Sequence, residues 1–187
     1  MAKKQDLSIY LSFLLRHGPE TLDLDMDRKG WVNARQLIDA INREGHYTLT
    51  MELLQSIVAE DSKGRYRFSP DGEKIKACQG HSIPWVEPEL KYGPPPEYLY
   101  HGTTAEALEK ILESGAILKM SRHAVHLQAE ERKAWPSAER WHKEGVVLKI
   151  RAGDMARRGA LFGVTENGVW CTDRVPAEYI AEKIRKG

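Results

Sequence analysis

Apolar residues recur at three- and four-residue intervals in four stretches, the spacing of one buried helical face. Leu7, Tyr10, Leu11, Leu14 and Leu15 form the first, with Asp6 as its expected N-cap and Gly18-Pro19 as its stop. Asn33 starts a second helix through Leu37, Ile38 and Ile41, ended by Gly45, and a third spans about Thr50 to Glu60 over Leu53, Leu54, Ile57 and Val58. Arg65 to Ser69 and Glu73 to Ala77 read as a hairpin across Pro70-Asp71-Gly72. Tyr66 and Phe68 then face inward and Arg65 and Arg67 share the outer face. Three helices followed by a hairpin is the element order of a winged helix.

After Gln79-Gly80-His81-Ser82 the pattern changes. Pro84, Pro88 and Gly93-Pro94-Pro95-Pro96 predict a semi-rigid linker, which puts a domain boundary near residue 90. His81 is expected at a hinge, with an RNA contact as the alternative. Beyond it, Tyr98 to His101 reads as a strand ending at Gly102, and Thr103 with Glu106 as a capping box for a helix through Ala107, Leu108, Ile111 and Leu112, closed by Gly115. Ser121 to Leu127 reads as a strand with Arg122, Ala124 and His126 on one face. A polar helical segment from about Ala129 to Lys143 is interrupted at Pro136. Val146 to Ile150 is a β run, Asp154 caps a short helix, Ala160 to Thr165 pairs with Val169 to Cys171, and Tyr179 to Ala181 forms a last edge. The class is α+β in two lobes, 1–90 and 91–187.

Composition narrows the function classes. The 187 residues are 41% hydrophobic and 29% charged, an ordinary globular balance, with no apolar run of membrane length and a polar start. A cytoplasmic monomer without a membrane partner is expected. Cys78 and Cys171 lie too far apart to suggest a disulfide framework or a CxxC metal site. Net charge is +1, but residues 1–90 carry 12 Lys/Arg against 14 Asp/Glu and residues 91–187 carry 16 against 13. A generic polyanion binder would be more basic, so nucleic-acid contact must come from placed arginines.

The chain has no GxSxG elbow, Walker loop, HExxH or GxGxxG after a strand, and its seven histidines lack metal-ligand spacing, so no metal is expected. Cationic and imidazole groups stand instead at element ends: Arg16-His17, Arg65 or Arg67, His101-Gly102-Thr103, Arg122 and His126. Guanidinium forks and imidazoles suit phosphate chemistry near neutral pH. A strand ending at Gly102 before a helix would offer backbone N–H groups to an anion or amide.

Six motifs occur in order: Leu14-Leu15-Arg16-His17, Lys63-Gly64-Arg65-Tyr66, Gln79-Gly80-His81-Ser82, Tyr100-His101-Gly102-Thr103, Ser121-Arg122 with Val125-His126-Leu127, and Glu166-Asn167-Gly168-Val169-Trp170. Together they resemble the NAD-dependent RNA 2′-phosphotransferase family over nearly the whole chain. The resemblance implies a winged-helix RNA-binding lobe and an ADP-ribosyltransferase-like lobe with a split β-sheet. It implies attack of an internal RNA 2′-phosphate on NAD⁺ with loss of nicotinamide. The resulting 2′-phospho-ADP-ribosylated RNA then resolves to 2′-OH RNA and ADP-ribose 1″,2″-cyclic phosphate. By motif, Arg16, His17, Arg65 and Arg122 would be catalytic. His101, Gly102, Thr103 and His126 would hold NAD⁺, with Val169 where related protein-modifying enzymes often carry a glutamate. Gln128 stands where the family usually has serine. The competing readings are a winged-helix nucleic-acid-binding regulator and an ADP-ribosyltransferase acting on protein or on nucleic-acid terminal phosphates.

Overall fold

The computed structural model describes residues 2–87, 89–140 and 143–186, which form two compact units, Met1–Glu89 and Leu90–Gly187, each with its own core. The first unit runs α1 (Ala2–Arg16), β1 (Val32–Asn33), α2 (Ala34–Glu44), α3 (Met51–Ala59), β2 (Tyr66–Phe68) and β3 (Lys74–Ala77), with the strands in the antiparallel order β1-β3-β2. Leu11, Leu14 and Leu15 of α1 pack with Leu37, Ile41, Leu54 and Ile75, all almost without exposed surface. The Asn33 side chain accepts from Arg35 N and Gln36 N at 3.0 Å and so starts α2. Asp6 caps nothing. Ala2 to Gln5 are strong helix formers, so α1 begins a turn earlier and leaves Asp6 exposed within it.

The linker expected around Pro84 is absent. Ile83 and Val86 are buried in the first core, and Glu87 N donates to Arg28 O at 2.7 Å, so apolar burial draws this segment into the first unit. Pro88 lies outside the described residues. Lys91 and Tyr92 already form β4 of the second unit, paired with Val164 and Gly163. His81 is no hinge. It is 5% exposed and lies against Gly30, which has φ +79° and would bring a Cβ to 2.9 Å of the imidazole Nε2.

The second unit continues with β5 (Leu99–Thr104), α4 (Ala105–Ser114), β6 (Ala116–Leu118), β7 (Val125–Leu127), α5 (Glu131–Ala138), β8 (Gly145–Ile150) and α6 (Ala152–Arg157). It ends with β9 (Gly163–Val164), β10 (Trp170–Thr172), β11 (Arg174–Pro176) and β12 (Ile180–Arg185). The strands form antiparallel sheets β12-β8-β5, β4-β9-β10-β7 and β11-β6. Tyr100 and Gln128 exchange two backbone hydrogen bonds of 2.8 Å, tying β5 to the residue after β7.

Four expectations change here. The strand read over 121–127 starts only at Val125, because Arg122 N closes a turn onto Lys119 O at 3.0 Å. Thr104 caps α4, accepting from Ala107 N at 3.2 Å, since β5 runs through Thr103, and Glu106 pairs with Lys110 and Lys143 instead of closing a capping box. Asp154 sits inside α6 and pairs with Arg151 and Arg157. The polar segment contains Pro136 but is helical only over Glu131–Ala138; its expected end spans Trp141 and His142, outside the described residues.

Helix α5 lies close against β5 and β8 because its inner face and theirs are small. Ala134 and Ala138 are fully buried, Gly145 would bring a Cβ to 3.1 Å of Ala138 Cβ, and a Cβ on Gly102 would fall on the Ala134 carbonyl and 2.9 Å from Ala138 N. No helix among the described residues is long and apolar enough to cross a membrane.

Asn33→Ala should cost about 1 kcal/mol of unfolding free energy by urea titration, the usual loss of a cap, whereas Asp6→Ala should stay within about 0.5 kcal/mol. Gly102→Ala should lower stability by about 1–3 kcal/mol, because backbone atoms of α5 must move to admit the methyl group. An unchanged urea midpoint for Gly102→Ala would show that α5 yields freely.

Candidate functional site

A cavity of about 430 Å³ opens in the second unit between β5, the segment 118–128 and α5. His101, Gly102, Thr103, Arg122 and His126 all line it, so five of the predicted site residues meet there. Val169 does not line it. That residue is 4% exposed, and its backbone closes the turn before β10 through Thr165, whose Oγ1 accepts from Val169 N at 3.0 Å.

The route by which Gly102 enters the site differs from the one expected. It lies within β5 rather than at the strand's end, and the side where its Cβ would stand is filled by α5. The missing side chain brings a helix to the strand and so builds the cavity wall.

His101 Nδ1 lies 3.0 Å from His126 O. A carbonyl oxygen only accepts, so Nδ1 carries the proton and the neutral ring keeps its lone pair on Nε2. Burial lowers the pKa of His101, and the nearby Arg122 charge adds to that, while the hydrogen bond to His126 O works the other way. The ring is therefore a neutral imidazole with one nitrogen committed and the other suited to accept a hydroxyl proton.

Arg122 stands in the turn ahead of β7, and the cavity rather than a shared strand face brings it to His126. Its guanidinium is held below the ordinary arginine range, first by burial and then by the Arg140 charge. Arg140, Lys119 and Ser137 also line the wall, and among the described residues none of those lining it is Asp or Glu. Sequence reading missed Arg140, which lies just beyond the end of α5 in a polar segment where its spacing does not set it apart. A concave wall with arginines, hydroxyls, a neutral imidazole acceptor and no carboxylate suits a phosphate-bearing ligand with hydroxyl groups. Cys171 offers no nucleophile, since burial pushes its thiol up to about 12.

The other predicted residues belong to the first unit. Arg16 ends α1, and its guanidinium lies over Gly80, where φ is +82° and a Cβ would stand 3.7 Å away. His17 Nδ1 is 2.8 Å from Ser82 Oγ, while Ser82 N donates to Arg16 O at 2.9 Å. The Gln79-Gly80-His81-Ser82 motif thus fixes the end of α1. Arg65 and Arg67 do not share a face, because β2 begins only at Tyr66. Arg67 turns to Glu89 at 2.9 Å and lies 4.9 Å from the Trp31 ring centroid. Arg65 turns to Asp61 and Ser8 and lines a second cavity of about 300 Å³.

The chain is similar to known proteins over most of its length. The model of the RNA 2′-phosphotransferase, Tpt1/KptA family matches residues 2–174. A probable RNA 2′-phosphotransferase of Fusobacterium nucleatum subsp. nucleatum is 43% identical over 174 residues, 93% of this chain and 96% of its own. One of Escherichia coli is 41% identical over 175 residues, 94% of each chain, and one of Burkholderia lata is 42% identical over 176 residues, 94% of this chain and 89% of its own.

The fold favours the neutral form of His101, so its folded pKa lies below the unfolded value of about 6.5. Its contribution to stability is complete above about pH 6.5 and is lost as pH falls toward the folded value, because the unfolded chain then binds the extra proton. Unfolding free energies measured by urea from pH 8 to pH 5 should fall in that window. His101→Asn should remove the His101 part of the slope; an identical slope in the variant would overturn the assignment.

Proposed function

Because the chain belongs to the RNA 2′-phosphotransferase family, we propose that it transfers an internal RNA 2′-phosphate to NAD⁺. The observation that carries this reading is the carboxylate-free cationic cavity that gathers His101, Thr103, Arg122 and His126. Its residues suit NAD⁺ as co-substrate: arginines for a diphosphate, and His101 Nε2 with the Thr103 hydroxyl for ribose hydroxyls and the carboxamide. No metal is invoked.

In this reading an oxygen of the RNA 2′-phosphate forms a bond to the anomeric carbon of the nicotinamide ribose. The bond to nicotinamide breaks, and its electron pair neutralises the pyridinium ring. The ribose 2″-hydroxyl then attacks the bridging phosphorus, and the bond from phosphorus to the RNA 2′-oxygen breaks. One proton leaves the 2″-hydroxyl and one reaches the departing 2′-oxygen, giving 2′-OH RNA and ADP-ribose 1″,2″-cyclic phosphate. His17 is the proton carrier, with Ser82 on its Nδ1. Arg16, Arg65 and Arg122 hold the charge on the transferring phosphoryl group, since preorganised donors are commonly the largest catalytic contribution.

The first unit is the RNA-binding, winged-helix part of this reading and the second the ADP-ribosyltransferase-like part. The element order α1-β1-α2-α3-β2-β3 supports the former, and the separate antiparallel sheets around a cavity support the latter. A DNA-binding regulator is the weaker reading, because residues 1–90 carry an acidic excess and phosphate neutralisation needs a basic face.

Incubation with NAD⁺ and an oligonucleotide bearing one internal 2′-phosphate should release nicotinamide and yield 2′-OH RNA. No turnover would sink the proposal. Arg122→Ala or His17→Ala should slow the second step by about 10²-fold or more and let 2′-phospho-ADP-ribosylated RNA accumulate on a denaturing gel. An unaltered overall rate in both variants would remove these residues from the mechanism.

A further inference from the structure

Arg65 is held in the first unit by three groups that the reaction itself does not call for. Asp61 Oδ1 accepts from Arg65 Nε at 2.9 Å, and the other carboxylate oxygen accepts from Arg65 N. Ser8 Oγ, on α1, accepts from Arg65 Nη2 at 3.2 Å. The guanidinium carbon lies 5.3 Å from the Tyr66 ring centroid, and the Tyr66 hydroxyl donates to Ser8 O at 2.7 Å. Asp61 is nearly buried, its side chain 3% exposed, while Arg65 keeps 29% exposed on the wall of the 300 Å³ cavity.

A guanidinium has five N–H groups. Asp61 takes the one on Nε and Ser8 one on Nη2. Among the described residues, the two N–H groups of Nη1 and one of Nη2 are left, and one from each nitrogen forms the end-on edge of the fork. That edge matches two phosphate oxygens. An arginine with no anchor would lose considerable side-chain entropy on binding a phosphate; this one has its orientation set beforehand.

We propose that Asp61 is a positioning residue for Arg65, fixing the guanidinium so that its Nη1/Nη2 edge receives the RNA 2′-phosphate. The proposal rests on the phosphotransferase reading above. The rival account is that Asp61 only closes the loop 61–65, where Gly64 N also donates to Asp61 O at 2.9 Å. The two accounts differ in what Asp61→Asn does. The amide keeps one acceptor oxygen but sets an NH₂ against Arg65 N or Nε, so the guanidinium loses its second restraint while its charge remains.

The test measures steady-state turnover of the 2′-phosphorylated oligonucleotide with NAD⁺ in the full chain, together with urea unfolding. Asp61→Asn should lower kcat by about 10- to 100-fold with KM for the oligonucleotide changed less than about threefold. In an Arg65→Ala background it should cause no further loss, because the group it positions is gone. A folded Asp61→Asn variant with unchanged kcat, or one that lowers the rate equally in the Arg65→Ala background, overturns the proposal but leaves the phosphotransferase reading intact. A fully active Arg65→Ala variant overturns the proposal together with the role given to Arg65, and an inactive unsubstituted protein overturns the phosphotransferase reading itself. If Asp61→Asn does not fold, Ser8→Ala carries the same test, with a smaller expected loss of about 3- to 10-fold in kcat.

Discussion

The cavity of the second unit exists because four small residues let a helix lie directly on a sheet. Gly102 and Gly145 on neighbouring strands face Ala134 and Ala138 on α5, and the space a Cβ would need at Gly102 is occupied by helix backbone. Side chains of ordinary size would hold α5 farther off and move Ser137 and Arg140 from the wall they share with Arg122. The wall is thus set by backbone-to-backbone approach. Pro136 within α5 removes one helical hydrogen bond, and the helix stays short, its C-cap at Glu139.

The first unit solves a comparable problem by different means. Arg16 and His17 stand at the end of α1, where backbone carbonyls need partners and side chains tend to fray. The segment 79–82 supplies the partners: Ser82 binds both the Arg16 carbonyl and the His17 ring, and Gly80 gives the Arg16 guanidinium a flat surface. Burial of His81 beneath Gly30, together with Ile83 and Val86 in the core, anchors that segment. The positions of Arg16 and His17 are therefore fixed by residues more than sixty positions later in the chain.

Periodicity revealed the elements and was silent on their approach. The helices at Asn33 and Thr50 and the hairpin over residues 66–77 were legible because caps and turns are local chemistry. The linker was misread because Pro84 breaks regular structure without preventing burial of Ile83 and Val86 on either side of it. Arg122 and His126 were placed together for the wrong reason: alternation assumed a strand where a turn through Lys119 stands. Arg65 and Arg67 were joined by the same error, since β2 starts one residue too late for them to share its face. Gly102 was visible as a glycine, but whether its missing side chain faced a ligand or a helix depends on α5, thirty residues away. Arg140 carried no signal strong enough to separate it from the polar segment around it.

Net charge would not have identified either cavity, because at +1 the chain is nearly neutral and what matters is where carboxylates are left out. In the first unit each cation near the hairpin has a carboxylate: Arg65 has Asp61, and Arg67 and Lys76 share Glu89. On the wall of the larger cavity the arginines have none among the described residues, and Arg140 makes the charged state of Arg122 less favourable than burial alone would. A guanidinium does not give up its proton at any ordinary pH, so both arginines stay charged. Two like charges on one concave wall raise the local positive potential, and that potential, not the net charge of the chain, is what sets the cavity apart from the ion-paired cations of the first unit.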